Sequence, residues 1–161
     1  MTEIRLRDAT PEDRETVWRF LAALQDFERE TEPNRIPGHD MAEKHLEALE
    51  DWVNQHYAGG NVIAEVGGKP VGWALFAVAT VHGFMVPEEH RLVGQLSDLW
   101  VEPEYRKLGI ASALIAEAER RFKEAGIRRI HIAAITSNER AIRLYETLGY
   151  APYEIELGKN L

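Results

Sequence analysis

Cysteine is absent from this sequence of 161 residues. The chain therefore has no disulfide bond, no thiolate metal site and no cysteine nucleophile. Long hydrophobic runs are missing as well, because the longest apolar stretch, Trp73 to Val81, has about half of the roughly 20 residues that a membrane-spanning helix needs. The charged N-terminus lacks the apolar core of a signal peptide. These absences predict a cytoplasmic protein without a membrane segment.

Positive charge is scarce, because the chain has 19 lysines and arginines but 27 acidic residues, which gives a net charge of -8. This balance argues against a nucleic-acid partner and favours a cationic one. None of the six histidines belongs to an H-E-x-x-H or similar array, so we expect no metal site. The sequence has neither a G-x-x-x-x-G-K-[ST] loop nor a G-x-G-x-x-G fingerprint, which disfavours a generic nucleotide-binding protein.

Hydrophobic residues make up 45% of the chain and no linker or repeat divides it, which predicts one domain over residues 1–161. Alternating apolar residues indicate strands, and apolar residues three and four apart indicate helices. The predicted elements are a strand near 4–7, helices over 11–27 and 40–57, strands at 62–66, 71–81 and 92–101, a helix over 111–125, a strand at 130–135, a helix over 139–148 and a strand at 153–157. The fold class is a mixed α/β arrangement of α+β type, in which helices flank a mixed sheet.

The most informative segment covers residues 99–111, where an apolar strand, a basic loop and a helix start follow one another. Pro103 ends the strand because it cannot donate a ladder hydrogen bond, and helical spacing begins at Ala111. The first N–H groups of a helix have no partner within it and attract anions. Arg106 and Lys107 add positive charge there. The segment therefore predicts a site for a phosphate-rich cofactor.

Two patterns in the C-terminal half resemble those of the GNAT superfamily of N-acetyltransferases. Residues 106–111 fit Gln/Arg-x-x-Gly-x-Gly/Ala between a strand and a helix, as in the superfamily's acetyl-CoA-binding loop. Asn138, Ala141, Tyr145 and Gly149 fit its Asn-x-x-Ala-x-x-x-Tyr-x-x-x-Gly-Phe/Tyr segment. The predicted element order is also similar, so the resemblance extends over nearly the whole chain.

The resemblance implies a GNAT fold whose sheet is mostly antiparallel, with acetyl-CoA held where a parallel strand pair splays apart. Pantetheine amides would pair with backbone near Leu99 and Val101, the pyrophosphate would rest on the amides of residues 107–111, and Asn138 would contact the pantetheine arm. The implied cofactor-binding residues are Leu99, Trp100, Val101, Arg106, Lys107, Leu108, Gly109, Ile110, Ala111, Ser112 and Asn138. Homodimers are common among members, which makes a homodimer an expectation here too.

Acetyl transfer from a thioester to an amine needs a base for the amine proton and an acid for the leaving thiolate. The resemblance places Tyr145 near the sulfur, and a tyrosine of pKa ~10 can protonate a thiolate of pKa ~8.5, so Tyr145 is the predicted acid. Asp98 on the motif strand is the predicted base, and the acidic run of Asp26, Glu28, Glu30 and Glu32 is the alternative. Other roles stay open, because a tyrosine on an apolar stripe also fits core packing and a strand carboxylate also fits an arginine partner.

The acceptor is predicted to meet an acidic run at the end of the first helix. Asp26 and Glu28, with Glu30 and Glu32, would favour a small cationic amine such as a polyamine or an aminoglycoside, although such a run also fits a solvated face. The leading hypothesis is transfer from acetyl-CoA to a small amine by direct attack in a ternary complex. The alternatives are acetylation of a protein lysine or N-terminus, and an acyl-CoA-binding sensor without turnover.

Overall fold

The computed structural model describes residues 3–159 and 161, which form a five-stranded sheet in the order β1-β2-β3-β4-β5. Neighbouring strands are antiparallel except for β4 and β5, which run parallel. The predicted mixed, mostly antiparallel sheet is therefore confirmed. The strands are β1 (Ile4–Asp8), β2 (Gly60–Val66), β3 (Lys69–Thr80), β4 (Leu92–Val101) and β5 (Ile130–Ile132).

Helices cover both faces of the sheet. They are α1 (Arg14–Arg29), α2 (Gly38–Val53), α3 (Ile110–Glu124) and α4 (Glu139–Thr147). The apolar stripes of α1 and α2 pack on one face, and the stripe of α3 packs on the other. Leu144 and Tyr145 bring α4 against the α3 side of the core. In the part of the chain that the structure describes, no helix is both long and apolar enough to cross a bilayer.

The central strands are buried on both faces, which explains why they read as nearly continuous apolar runs. Ile63, Trp73 and Leu75 face α1 and α2, whereas Val62 and Phe76 face α3. Successive side chains of a strand point to opposite faces, so each of these strands supplies both cores. Trp73 and Phe76 are completely buried, one in each of the two cores.

The parallel pair of β4 and β5 is short and opens toward its C-terminal end. Their register covers only Gly94 to Leu96 on β4, although β4 continues to Val101. A β-bulge interrupts the pairing with β3 at the same place, because Leu75 is opposite Asp98 and Phe76 is opposite Leu96. Ser97 is the extra residue, and a bulge bends its strand and re-aims the following side chains. Beyond Leu96 the edge of β4 that faces β5 is therefore open.

The C-terminal segment differs from the prediction. Residues 151–159 form no strand or helix, although Tyr153, Ile155 and Leu157 alternate with glutamates as in a strand. These side chains are 60%, 76% and 90% exposed. The segment is held instead by side chains, because the Tyr153 ring stacks on His131 at 4.9 Å and lies under the Arg129 guanidinium at 4.0 Å. β5 is only three residues long, so its free edge offers few backbone groups with which a strand over 153–157 could pair.

Helices α1 and α2 approach each other closely at Gly38, the first residue of α2. A Cβ atom there would lie 2.1 Å from the backbone oxygen of Ala22. We expect Gly38→Ala to lower the free energy of unfolding by about 1–3 kcal/mol, because neither helix can move without disturbing the core between them. Urea denaturation measures the change.

Gly158→Ala is the matched control, because a Cβ atom there has no heavy atom within 4 Å. Its unfolding free energy should stay within about 0.5 kcal/mol of the parent value. Equal stability of the two variants would contradict the close approach of the helices at Gly38.

Candidate active site

A cavity of about 440 Å³ lies where β4 and β5 separate. Its walls come from the C-terminal end of α1, the open half of β4, the loop before α3, the first turn of α3 and the inner face of α4. Of the cofactor-binding residues predicted from sequence, all except Leu108 line this cavity. Tyr145 and Glu28 line it as well. Residues far apart in the sequence are thus brought to one site.

The first turn of α3 presents unpaired backbone N–H groups to the cavity. Lys107 and Gly109 both have positive φ, 67° and 84°, which turns the chain sharply from the loop into the helix. Gly109 occupies the N-cap position without a capping side chain, and its carbonyl accepts the first helical bond from Ala113 N. The N–H groups of residues 110–112 are therefore available to an anion, which the helix dipole also favours.

Two cations beside this turn are available to a ligand. Lys107 and Arg140 both line the cavity, and within residues 3–159 neither forms an ion pair. Arg140 lies in the first turn of α4, two residues after Asn138. It is one of several basic residues in the C-terminal half whose charge could offset that of a phosphate-rich cofactor, but the predicted cofactor-binding residues do not include it. With the α3 amides, these side chains form a positive end of the cavity in an acidic protein.

Arg106 has a structural contact that the sequence did not reveal. Its Nε donates to the Val101 carbonyl at 2.9 Å, and its guanidinium lies 4.8 Å from the Trp100 ring and 5.6 Å from the Phe27 ring. Burial lowers the pKa of Arg106, and the nearby Arg140 lowers it further. Arg106 therefore fastens the loop to β4 and α1, and it still contributes to the cavity wall.

Asn138 caps helix α4 and also lines the cavity. Its Oδ1 accepts a hydrogen bond from Ala141 N at 3.2 Å. The cap uses only the carbonyl oxygen of the side chain, so the two N–H donors of the amide are not consumed by it. The capping role and the predicted cofactor contact are thus compatible.

Tyr145 projects from α4 into the cavity and remains protonated at neutral pH. Burial raises the pKa of its hydroxyl to about 12, and the negative charge of Glu28 adds to the effect. A phenol with this pKa is a proton donor over the physiological range and not a base. The position and protonation state agree with the acid role predicted for Tyr145.

Asp98 is a buried carboxylate behind the cavity wall. Its neighbours Ser97 and Leu99 line the cavity, whereas Asp98 faces the layer of α1 and α2 and is 7% exposed. Among the described residues its buried Oδ2 has no hydrogen-bond partner. Burial raises the pKa of Asp98, and a hydrogen bond from Ser97 and the charge of His45 oppose this shift.

The two residues predicted to bind the acceptor, Asp26 and Glu28, lie in different environments. Asp26 Oδ1 accepts a hydrogen bond from Gly38 N at 2.7 Å, so this carboxylate caps the start of α2 and lies outside the cavity lining. Glu28 lines the cavity and pairs with Arg35 at 2.9 Å. Burial raises the pKa of Glu28, and the charge of Arg35 opposes this. The helical rotation between residues 26 and 28 explains the difference.

Residues 21–150 match the sequence profile of the acetyltransferase (GNAT) family. The chain therefore belongs to this family, as its two motifs indicate. It is 32% identical over 107 residues to an uncharacterized N-acetyltransferase of Methanocaldococcus jannaschii, covering 66% of this chain and 46% of that protein. Two further curated relatives are covered over 44% and 65% of their length. The chain thus spans less than two thirds of these relatives.

Solved structures share the fold at lower identity. The tetramutant of a Bacillus halodurans protein superposes with a TM-score of 0.82 at 18% identity, covering 98% of this chain and 99% of that one. The aminoglycoside N-acetyltransferase AAC(6')-Iy in complex with CoA gives 0.75 at 19% identity, with 100% and 96% covered. These likenesses establish a GNAT fold over the whole described chain.

The burial of Asp98 leads to a pH-dependent prediction. Because the native pKa of Asp98 is raised, the folded protein binds its proton more tightly than the unfolded chain does, and the free energy of unfolding falls as pH rises through the native pKa. Asp98→Asn should therefore be more stable than the parent at pH 7, by about 1–3 kcal/mol, because the amide has no negative charge to bury.

Denaturation curves between pH 3 and pH 8 test this. The advantage of Asp98→Asn should shrink below the unfolded pKa of ~3.9, where the parent is protonated in both states. Asp51→Asn, at an exposed position of α2, is the control and should follow the parent at every pH. A constant difference between Asp98→Asn and the parent across this range would show that charge burial is not its cause.

Proposed function

We propose that the protein is an N-acetyltransferase that transfers the acetyl group of acetyl-CoA to a primary amine of a small cationic molecule. The observation that carries the proposal is the cavity itself, in which an anion-binding helix start, the protonated Tyr145 and the carboxylate Glu28 meet. The attack would be direct, within a ternary complex, because the chain has no cysteine to carry the acetyl group.

The residues around the cavity fit coenzyme A. Its phosphates match the amides of residues 110–112 with Lys107 and Arg140, and its extended pantetheine arm matches the open edge of β4 next to Asn138. The carbonyl of Val101 is already bonded to Arg106, which leaves the groups nearer Leu99 for the arm. An aminoglycoside N-acetyltransferase of the same fold was solved with CoA, which supports this assignment.

Bound acetyl-CoA supplies a thioester carbonyl and a thiolate leaving group. The N–H of Leu99 on the open edge of β4 would donate to the carbonyl oxygen, a type of contact worth roughly 3 kcal/mol in other enzymes. Tyr145 would give its proton to the sulfur, for which its protonated state at neutral pH is suited. The hydroxyl proton would be regained from solvent through the cavity mouth.

The amine must lose a proton before it attacks, because an alkyl ammonium has a pKa near ~10.4. Asp98 is the proposed base and would act through water past Ser97, which lines the cavity next to it. Its unpartnered Oδ2 and its raised pKa both favour proton acceptance. Glu28, whose charge Arg35 partly compensates, would contact the cationic acceptor.

A small acceptor is favoured over a protein by one contact beside the cavity. Ser137 Oγ donates to Thr31 Oγ1 at 2.8 Å, which links the loop after α1 to the loop before α4. A peptide would need an open groove between these loops. The structure of an aminoglycoside N-acetyltransferase with a bisubstrate analogue of CoA and acetylneamine supports a small amine as well.

Tyr145→Phe should abolish most of the activity while leaving CoA binding in place. We expect kcat to fall by about 100-fold or more, the usual contribution of a general acid, with the Kd for CoA changed by less than about threefold. Thiol release from acetyl-CoA across polyamines, aminoglycosides, amino acids and peptides measures the rate and identifies the acceptor class.

Tyr150→Phe is the matched control, because its ring lies 6.2 Å from Tyr145 but its hydroxyl bonds Glu119 at 2.8 Å. It should retain activity within about twofold. Full activity of Tyr145→Phe would refute the acid role. CoA binding without thiol release for any amine would favour an acyl-CoA sensor.

Arg140→Gln should weaken CoA binding by about tenfold or more, because a charge-assisted contact to a phosphate is lost. Titration calorimetry with CoA measures the effect, which should diminish at high salt. Arg143→Gln is the control on the same helix, since Arg143 is exposed and pairs with Glu139 at 2.9 Å outside the cavity. Equal affinities of the two variants would place the phosphates elsewhere.

A further inference from the structure

The acceptor end of the cavity contains a carboxylate that already has a positively charged partner within the protein. Glu28 lines the cavity, and its Oε2 lies 2.9 Å from Nη1 of Arg35. Arg35 belongs to the loop between α1 and α2, and its side chain is 38% exposed against 21% for Glu28. The carboxylate thus faces the cavity, while its internal counter-ion reaches it from the solvent side.

Two hydrogen bonds that hold the backbone around Arg35 do not involve the ion pair. The Arg35 carbonyl accepts from Arg29 Nε at 2.9 Å, and the next carbonyl, that of Ile36, accepts from Gln25 Nε2 at 3.0 Å. Gln25 Oε1 also accepts from Arg35 Nη1 at 3.2 Å. The backbone of the loop is therefore held without Glu28, so the guanidinium can leave Glu28 without unfolding the loop.

Among the residues that the structure describes, Arg35 is the one cation whose charge acts on the pKa of Glu28. Asp98 and Tyr145 are its other ionisable neighbours, and neither supplies positive charge. The charge of Arg35 therefore offsets that of Glu28, and an acceptor ammonium that takes the place of Arg35 gains the full attraction of the carboxylate. The pair is partly exposed and so only weakly stabilised, which makes such an exchange feasible.

We propose that Arg35 is a specificity-determining residue, an internal counter-ion that a cationic acceptor displaces from Glu28. The proposal rests on the proposed function, because it concerns the acceptor of the same cavity. With Arg35 present, an acceptor with two ammonium groups gains little over a monoamine of equal length. Without Arg35, Glu28 offers an uncompensated negative charge, and the dication is preferred.

Binding of 1,5-diaminopentane and pentylamine to the CoA-saturated protein, measured by titration calorimetry, tests the proposal. Arg35→Gln should bind the diamine about tenfold tighter than the parent does, and pentylamine within about twofold of the parent. Arg35→Lys should restore parental affinities because it keeps the charge. The double variant Glu28→Gln with Arg35→Gln should lose the gain.

Arg14→Gln is the matched control, because it removes one positive charge from an ion pair with Glu43 that lies outside the cavity lining. It should leave both affinities unchanged. Equal diamine affinity for the parent and Arg35→Gln, an equal gain for both amines, or no binding of either amine by any variant would each overturn the proposal.

Thiol release with the same two amines separates this proposal from the proposed function. Acetylation of both amines without an effect of Arg35→Gln on their relative KM would refute the role of Arg35 and leave the enzyme established. Tighter diamine binding by Arg35→Gln without acetylation of any amine in the panel would support the role of Arg35 and count against the enzyme.

Discussion

The early end of hydrogen bonding between β4 and β5 is the constraint on which the site depends. Parallel strands normally continue side by side, but here the ladder covers three residues and stops at Leu96. The bulge at Ser97 turns β4 at the same point, so the strand continues to Val101 with one edge unoccupied. Unpaired backbone groups are costly when buried and remain acceptable only beside a cavity or a ligand. A binding groove is therefore a consequence of the sheet's own geometry.

The loop after β4 converts this open edge into a site for a charged, extended ligand. Lys107 and Gly109 take left-handed conformations, which direct the first amides of α3 toward the groove. Arg106 holds the loop against Trp100 and Phe27, so the position of the amides is fixed by packing with α1 as well as by the turn. Arg106 therefore stabilises the position of the loop as well as supplying positive charge.

The sequence was most informative where function depends on local backbone. The loop of residues 106–111 and the Asn138 to Tyr145 segment could be recognised because helix caps and turns depend on residues that are close together in the sequence. The pairing of Glu28 with Arg35 and the burial of Asp98 depend on how a loop and a bulged strand are placed in space, which no spacing encodes. The predicted strand over 153–157 was wrong, because an alternation of apolar and charged residues does not provide a neighbouring strand to pair with.

Burial raises the pKa of both the proposed acid and the proposed base, with opposite consequences for the two roles. The raised pKa keeps Tyr145 protonated in the resting site but makes it a weaker acid, so its proton moves only as the thiolate develops beside it. A raised pKa also makes Asp98 a better match for an amine than an exposed carboxylate would be, because the gap between donor and acceptor narrows. The unpartnered oxygen of Asp98 therefore has two effects: it destabilises the folded protein, and it makes the carboxylate more basic. A hydrogen-bond donor that satisfied this oxygen would lower the affinity of the carboxylate for a proton.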